Sequence, residues 1–253
     1  MTTEGVPARI DVVLPAHDEE ELIGASLAAL SVARERLAAT HPDVEVGIAV
    51  VLDACTDGTA DIVSRWSVRT ATARGAARTD VSVVEIAERN VGAARRAGVE
   101  RVVGFATRIG LAHRWIATTD ADSRVDPAWL LAHLDALSAG IDVLLGTVRP
   151  EATDLDEDGL RRWAEAHPPG HLPGNVHGAH LGIRLDAYRR IGGFAALAEH
   201  EDVDLVARAR RAGLDVRATL DAPVITSGRR EGRTPGGYAA FLADAYGPHP
   251  TRA

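Results

Sequence analysis

The feature that most constrains the fold is a repeated alternation between short apolar runs and longer segments with helical spacing. Apolar, β-rich runs occupy residues 10–14, 45–52, 81–86, 115–119 and 141–148. Residues 45–52 are almost entirely apolar, which is typical of a strand buried on both faces of a parallel sheet. Helical patterns between the runs indicate βαβ units. The sequence therefore predicts an α/β fold, with a mostly parallel, Rossmann-like sheet and helices on both faces.

Local signals predict where several helices begin. Asp18 stands at an N-cap position with Glu21 three residues later, the arrangement of a capping box. Asp126 followed by Pro127 indicates a second helix start. Further helical patterns cover residues 59–66, 91–109, 186–191, 237–245 and a segment that begins at residue 201. Residues 151–175 change composition and predict a loop or a short helix.

Composition and charge exclude several classes of function. The chain has 253 residues, which suits one large α/β domain, and a formal net charge of −8. This charge argues against non-specific nucleic-acid binding, which needs Lys and Arg to replace phosphate counterions. Apolar runs far shorter than about 20 residues predict no transmembrane segment and leave peripheral membrane contact open. The single cysteine, Cys55, and a start without a signal-peptide pattern favour the cytoplasm.

The strongest chemical signal is the triplet Asp120-Ala121-Asp122, which directly follows the apolar run at 115–119. The triplet therefore places two carboxylates at the carboxyl end of a strand, where open α/β sheets bind ligands. Two such carboxylates suit a hard cation such as Mg²⁺, which usually leaves coordination places for substrate phosphates. The alternative is an ordinary turn built from Asp and Ser.

Three further blocks accompany the triplet, in a fixed order along the chain. They are residues 12–20 (Val-Val-Leu-Pro-Ala-His-Asp-Glu-Glu), residues 51–59 (Val-Leu-Asp-Ala-Cys-Thr-Asp-Gly-Thr), and Gly192-Gly193-Phe194 followed by His200-Glu201-Asp202. With these blocks the chain resembles family 2 glycosyltransferases from Asp11 to about Gly213. The resemblance implies the GT-A fold with a small acceptor-side sheet, in one continuous domain. Within it we expect a nucleotide-sugar-binding half (1–122), an acceptor-binding and catalytic half (123–225) and an Arg/Gly-rich C-terminal flap (226–253).

The resemblance also implies an activity: a glycosyltransferase of the hexosyltransferase type. Its donor would be a nucleotide-diphosphate sugar, its cofactor Mn²⁺ or Mg²⁺, and its acceptor a small or carrier-linked hydroxyl compound. Two alternatives stay open. One is a retaining enzyme of similar fold, as in glycosyl-phosphoglycerate synthases, and the other is a non-catalytic sugar-nucleotide-binding protein of a biosynthetic complex. The sequence does not indicate an oligomeric state.

The resemblance assigns donor-site roles residue by residue. The implied donor-binding residues are Pro15, Ala16, Asp18, Asp53, Asn90, Arg95, Asp120, Ala121, Arg229 and Arg233. Asp53 would read the base or ribose, but Leu52 stands where the family often has the first Asp of a pair, so the base stays open. Asn90 and Arg95 belong to a helix start beside the diphosphate, with a solvated Arg95 as the alternative. Arg229 and Arg233 would close over the diphosphate, or form a flexible basic segment.

The remaining assignments concern catalysis and the cation. Asp202 is expected to act as the general base of an inverting reaction, with Glu201 beside it, although both could simply stabilise a helix start. Asp122 is the expected direct metal ligand, and Asp120 would contact the ribose or the metal's water molecules. Zinc held by His167, His171, His177 and His180 is a weaker alternative, because their spacing is irregular. Trp163 could form a sugar-stacking platform or simply pack.

Overall fold

The structure is a computed structural model that describes residues 8–72, 79–168, 170, 172, 176–229, 232 and 236–246. Its strands are β1 (Arg9–Ala16), β2 (Glu45–Asp53), β3 (Thr79–Ile86), β4 (Arg114–Thr118), β5 (Ser123–Arg124), β6 (Val143–Leu145), β7 (Val148–Pro150), β8 (Leu181–Arg184), β9 (Val216–Ala218) and β10 (Val224–Thr226). Its α-helices are α1 (Ile23–Thr40), α2 (Thr59–Thr72), α3 (Val91–Val103), α4 (Trp129–Ser138), α5 (Glu157–Ala166), α6 (Leu185–Arg190), α7 (Glu201–Arg211) and α8 (Tyr238–Tyr246). No helix in this described part of the chain has the length and apolarity needed to cross a membrane.

The strands form two sheets. The larger has seven strands in the order β3-β2-β1-β4-β8-β6-β9, and the smaller has the order β5-β10-β7. In the larger sheet β1, β2, β3 and β4 run parallel, as do β6 and β9, whereas β8 runs antiparallel to both of its neighbours. The predicted α/β fold class, with a mostly parallel sheet and a second small sheet, is confirmed.

Helices cover both faces of the large sheet because its central strands are apolar on both sides. Successive side chains of a strand point to opposite faces. Ile10, Val12 and Leu14 of β1 accordingly join the core formed with α1, α2 and α4. Val13, between them, joins the other core, formed with α3, α6 and α7. The helices on both faces were therefore predictable from β1 and β2 alone.

Three predicted boundaries were wrong. Residues 141–148 are not one strand: they divide into β6 and β7, which belong to different sheets. The division falls at Gly146, where an added Cβ would lie only 2.0 Å from Nδ1 of the buried His180 ring. Helix α3 ends at Val103 rather than near residue 109. Helix α4 begins at Trp129, because the Asp126 carboxylate accepts from the Ala128 N–H (2.7 Å) in a turn that precedes the helix.

The predicted capping box at Asp18 was also wrong. Helix α1 begins at Ile23, and no side chain caps it. Asp18 has a left-handed backbone (φ 49°), and its Oδ1 accepts from the N–H groups of Thr56 (2.6 Å) and Asp57 (3.3 Å). The Thr56 hydrogen bond lowers the pKa of Asp18. The Asp18 carboxylate, which the sequence pattern assigned to the start of a helix, therefore connects the loop after β1 to the loop after β2.

Two buried histidines make the stability of the fold depend on pH. His133 and His180 are fully buried, and their rings lie 5.4 Å apart in an edge-on arrangement. Trp115 Nε1 donates to His133 Nδ1 (3.0 Å). Burial lowers the pKa of His133 well below its usual value, and it lowers the pKa of His180 to about 4. Both rings are therefore neutral in the folded protein at neutral pH.

Acidification is expected to destabilise the protein through these rings. An unfolded histidine takes up its proton near pH 6.5, and the buried His180 resists protonation down to about pH 4. The stability is thus intact above pH 6.5 and falls by about 1.4 kcal/mol per pH unit per histidine as the pH drops toward 4. Urea unfolding between pH 7.5 and 4.5 measures this slope. In a His133→Phe variant the unfolding free energy should depend less steeply on pH than in the wild type, whereas substitution of the exposed His113 should leave this slope unchanged. A wild-type slope in His133→Phe would contradict the role given to the buried His133.

Candidate active site

The carboxyl ends of the parallel strands bring the predicted motifs together. Strands β1, β2 and β4 are neighbours and run in the same direction, so Pro15, Asp53 and Asp120 reach one edge of the sheet. A cavity of about 740 Å³ opens at this edge. Ligands of open α/β sheets bind at such an edge.

Most of the predicted site residues line this cavity. Those that line it are Pro15, Asp53, Asn90, Arg95, Asp120, Ala121, Asp122, Glu201, Asp202 and Arg229. Ala16 does not line it; this residue is buried, and its carbonyl accepts from Cys55 Sγ (3.4 Å). Asp18 faces a separate depression formed with Thr56 and Asp57. Arg233 lies outside the described residues.

The two carboxylates of the triplet have different surroundings. Ala121, between them, is buried and anchors the turn in the core. Asp122 Oδ1 accepts from Ser123 Oγ (3.1 Å) and Thr226 Oγ1 (3.2 Å), which ties it to the small sheet. Burial, together with the neighbouring Asp120, raises the pKa of Asp122 to about 6. A desolvated carboxylate of this kind gains free energy when a cation binds beside it.

The residues present fit a divalent cation that is shared with a ligand. Asp120 and Asp122 would supply carboxylate oxygens, the atoms that Mg²⁺ and Mn²⁺ prefer. Across the described residues, no group of three or more His, Cys, Asp or Glu side chains is arranged to hold a metal ion. A cation at this place would therefore need further oxygens from water or from a phosphate. That requirement matches the way Mg²⁺ binds together with nucleotide phosphates.

A buried arginine connects the two ends of the site. Arg95 Nη2 donates to Asp120 Oδ1 (2.5 Å), and Arg95 Nη1 forms an ion pair with Glu201. The Arg95 and Glu201 side chains are 4% and 3% exposed, so Arg95 is not the solvated helix residue of the alternative interpretation. Gly178 makes room for the guanidinium, because an added Cβ there would lie 2.2 Å from Nη2. Arg95 thus fixes the triplet relative to the start of α7.

Asp202 lines the same cavity as the triplet but comes from a different element, α7. The chain reverses at His200, which has a left-handed backbone (φ 59°), and α7 then begins at Glu201. Asp202 Oδ1 accepts from the N–H of Val203 (2.7 Å), and the helix dipole favours an anion at this end. Glu201 and Asp202 both line the cavity, but the Glu201 carboxylate is engaged in the ion pair with Arg95. Asp202 is therefore the better placed of the two to act on a ligand.

The loop between β3 and α3 forms the wall beside β2. The Asp53 carboxylate accepts from three backbone N–H groups, those of Glu88 (2.8 Å), Arg89 (2.8 Å) and Asn90 (2.7 Å). Asn90 in turn caps α3, its Oδ1 accepting from the Ala93 N–H (2.9 Å). Asp53 therefore shapes this loop while it lines the cavity, and its reading of a base or ribose stays a prediction.

A basic side chain from the C-terminal segment reaches the triplet. Arg229, which follows β10, donates to both carboxylate oxygens of Glu19 (2.9 and 2.6 Å) and lies 3.0 Å from Asp122 Oδ2. Arg229 was expected near the diphosphate, whereas Glu19 was not predicted as a site residue. Its position within the block at residues 12–20, four residues before α1 begins, was the signal that could have found it.

Aromatic side chains of α8 form another part of the wall. Tyr238 and Phe241 line the cavity, and the Tyr238 ring meets His177 edge-on at 5.6 Å. Trp163, for which a sugar-stacking platform and simple packing were both open, stacks on His167 at 4.5 Å and is not among the residues that line this cavity. His180 is buried beside His133. Among the described residues, no group of three or more His, Cys, Asp or Glu side chains could hold a metal ion, and His171 lies outside these residues. The helical pattern at 237–245 predicted α8 but not its role in the wall.

Comparisons with known proteins found a matching sequence family and solved structures of the same fold. The sequence model described as "Glycosyl transferase family 2" matches residues 11–192. No curated protein shows significant similarity to the chain.

Solved structures share the fold at low sequence identity. A mannosyltransferase from Pyrobaculum calidifontis, in complex with GDP-Man and Mn²⁺, has 20% identity and a TM-score of 0.63, over 89% of this chain and 58% of the other. TarS from S. aureus has 17% identity and a TM-score of 0.59, over 87% of this chain and 36% of the other. Glucosyl-3-phosphoglycerate synthase from Mycobacterium tuberculosis, in complex with Mn²⁺, UDP and glucosyl-3-phosphoglycerate, has 18% identity and a TM-score of 0.55, over 88% and 73%. The chain thus spans 36% and 58% of the first two proteins.

Proposed function

Because the chain belongs to glycosyl transferase family 2, we propose that it transfers a sugar, of the hexosyl type, from a nucleotide-diphosphate donor to a hydroxyl acceptor. The observation that carries the proposal is the shared cavity: the carboxylates of the triplet and Asp202 line the same space from different elements. The carboxylates of the triplet suit a cation that also binds a diphosphate, and the Asp202 carboxylate suits the role of proton acceptor. The GDP-Man and Mn²⁺ bound to the mannosyltransferase of the same fold support this class of donor and cofactor.

On the donor side, the nucleotide lies between the end of β1 and the loop that Asp53 holds in place. Pro15 and Asn90 line that part of the cavity. Asp120 and Asp122 would hold Mn²⁺ or Mg²⁺, which neutralises the charge of the leaving diphosphate when it is bound. Arg229 contributes a guanidinium that suits diphosphate oxygens.

On the acceptor side, Asp202 takes the proton from the acceptor hydroxyl. The acceptor oxygen then forms a bond to the anomeric carbon as the bond from that carbon to the diphosphate oxygen breaks, so the nucleoside diphosphate leaves and the configuration inverts. This task needs an ionised carboxylate within hydrogen-bond reach of the hydroxyl. Arg95 positions the site, since it holds both Asp120 and Glu201.

A thermal-shift screen of UDP-, GDP- and dTDP-sugars with Mn²⁺ tests the donor half of the proposal. A ligand at 100 times its Kd stabilises the native state by about 2.7 kcal/mol, which raises Tm by about 5–10 °C for a chain of this length. We expect one nucleotide class to give such a shift, and we expect EDTA to reduce it strongly. Asp122→Asn should lose the shift, whereas Asp204→Asn, whose carboxylate pairs with Arg208, should keep it. Full resistance of the shift to EDTA would contradict the cation's role.

A further inference from the structure

Three side chains that are far apart in the sequence form one charged cluster at the triplet. The Arg229 guanidinium makes two parallel hydrogen bonds to Glu19, Nη1 to Oε2 (2.9 Å) and Nη2 to Oε1 (2.6 Å). The same Nη2 lies 3.0 Å from Asp122 Oδ2. One guanidinium thus bridges two carboxylates, an arrangement that suits the planar fork of arginine and not the point charge of lysine.

The cluster is largely shielded from water. The side chains of Arg229, Glu19 and Asp122 are 28%, 7% and 17% exposed. Ion pairs of this kind, with good hydrogen-bond geometry and little solvent, are stronger than pairs at an open surface. Displacing the guanidinium from Asp122 therefore costs free energy.

The guanidinium contacts the oxygen that a cation would need. Asp122 Oδ1 already accepts from Ser123 Oγ and Thr226 Oγ1, so Oδ2 is the oxygen that faces the positive charge. An oxygen in contact with a guanidinium 3.0 Å away cannot coordinate a metal ion at about 2.1 Å in the same direction.

We propose that Arg229 is the resident counter-cation of Asp122, and that a divalent cation binds to Asp122 only by displacing it. Glu19 keeps the displaced side chain within reach of the site, and the N–H groups freed from Asp122 become available to an anionic ligand such as a diphosphate. The inference rests on the proposed function for the identity of that ligand. Such an exchange would couple the binding of the cation to the binding of the donor.

Titration of the donor-free protein with Mn²⁺, followed by the electron paramagnetic resonance signal of free Mn²⁺, tests this proposal. We expect Arg229→Gln to bind Mn²⁺ about tenfold more tightly than the wild type, since the competing charge-assisted contact is gone. The matched control is Arg217→Gln, which removes the same charge from an exposed pair with Asp215 and should leave the affinity unchanged. Arg229→Gln with wild-type or weaker affinity, or an equal gain in the control, would overturn the proposal.

Arg229→Lys separates the bridge from the charge. A lysine keeps the charge but cannot hold both carboxylates at once, so its Mn²⁺ affinity is expected between those of the wild type and Arg229→Gln. An affinity equal to that of the wild type would overturn the bridging geometry. These titrations contain no nucleotide and measure no transfer, so their failure is distinct from a failure of the proposed sugar transfer. Circular dichroism of each variant confirms that it is folded.

Discussion

The Asp202→Asn variant is expected to transfer sugar about 10²- to 10⁴-fold more slowly than the wild type, with nearly unchanged donor affinity. Asparagine keeps the shape of the side chain and can still accept from the Val203 N–H, but it cannot take the proton of the acceptor hydroxyl. The proposed donor site lies at the triplet, which this substitution does not touch. Measurement of kcat, together with the donor Kd in Mn²⁺, separates the two effects.

Asp204→Asn is the matched control, because this carboxylate lies on the same turn of α7 and pairs with Arg208. It should retain turnover. A wild-type kcat in Asp202→Asn would remove the assignment of Asp202 as the base. Equal losses in both variants would instead indicate that acidic residues serve only to stabilise the start of α7, the alternative that the sequence left open.

The Arg95→Met variant is expected to lose activity and about 3–5 kcal/mol of unfolding free energy, the usual result of removing one partner of a buried ion pair. Arg95 and Glu201 are both buried, so the variant leaves the Glu201 carboxylate without its counter-charge. It also frees Asp120, which Arg95 holds at 2.5 Å. Urea unfolding and a transfer assay on the same samples measure both consequences.

Arg96→Met provides the comparison, because Arg96 is the next residue of α3 and is exposed. It should change the unfolding free energy by no more than about 0.5 kcal/mol. The double variant Arg95→Met/Glu201→Gln removes the unpaired charge and should recover part of the stability without recovering activity. Recovery of activity together with stability would show that Arg95 only supports the fold and does not position the site.

The layered fold could be predicted because its signals are local. Residues 45–52 form a buried central strand as their apolar run indicated, and the alternate side chains of β1 enter the cores on both faces. The predictions that were wrong depended on distant partners. The strand expected at 141–148 divides at Gly146, which packs against the ring of His180, a residue distant in the sequence.

The same distinction separates the predicted and unpredicted parts of the site. The triplet and the Glu-Asp pair were found because each is a short motif that, in order with the other blocks, resembles the family. Their connection through Arg95 was not, since nothing near residue 95 indicates which carboxylates it meets. The contact between Glu19 and Arg229 joins residues 210 positions apart. Asp53 has the expected position at the cavity, but its hydrogen bonds to the backbone N–H groups of residues 88–90 were not predicted.

The most direct test of the proposed reaction is ¹H NMR of the protein with its nucleotide sugar and Mn²⁺, which follows the anomeric proton of the product as it forms. Transfer to an acceptor, or slow transfer to water, should give nucleoside diphosphate and a sugar whose first-formed anomer is opposite to that of the donor. Asp202→Asn should slow this reaction strongly. A product with the donor's configuration would contradict the role of Asp202 and indicate a retaining enzyme. A donor that binds but is never consumed would contradict the transfer reaction itself.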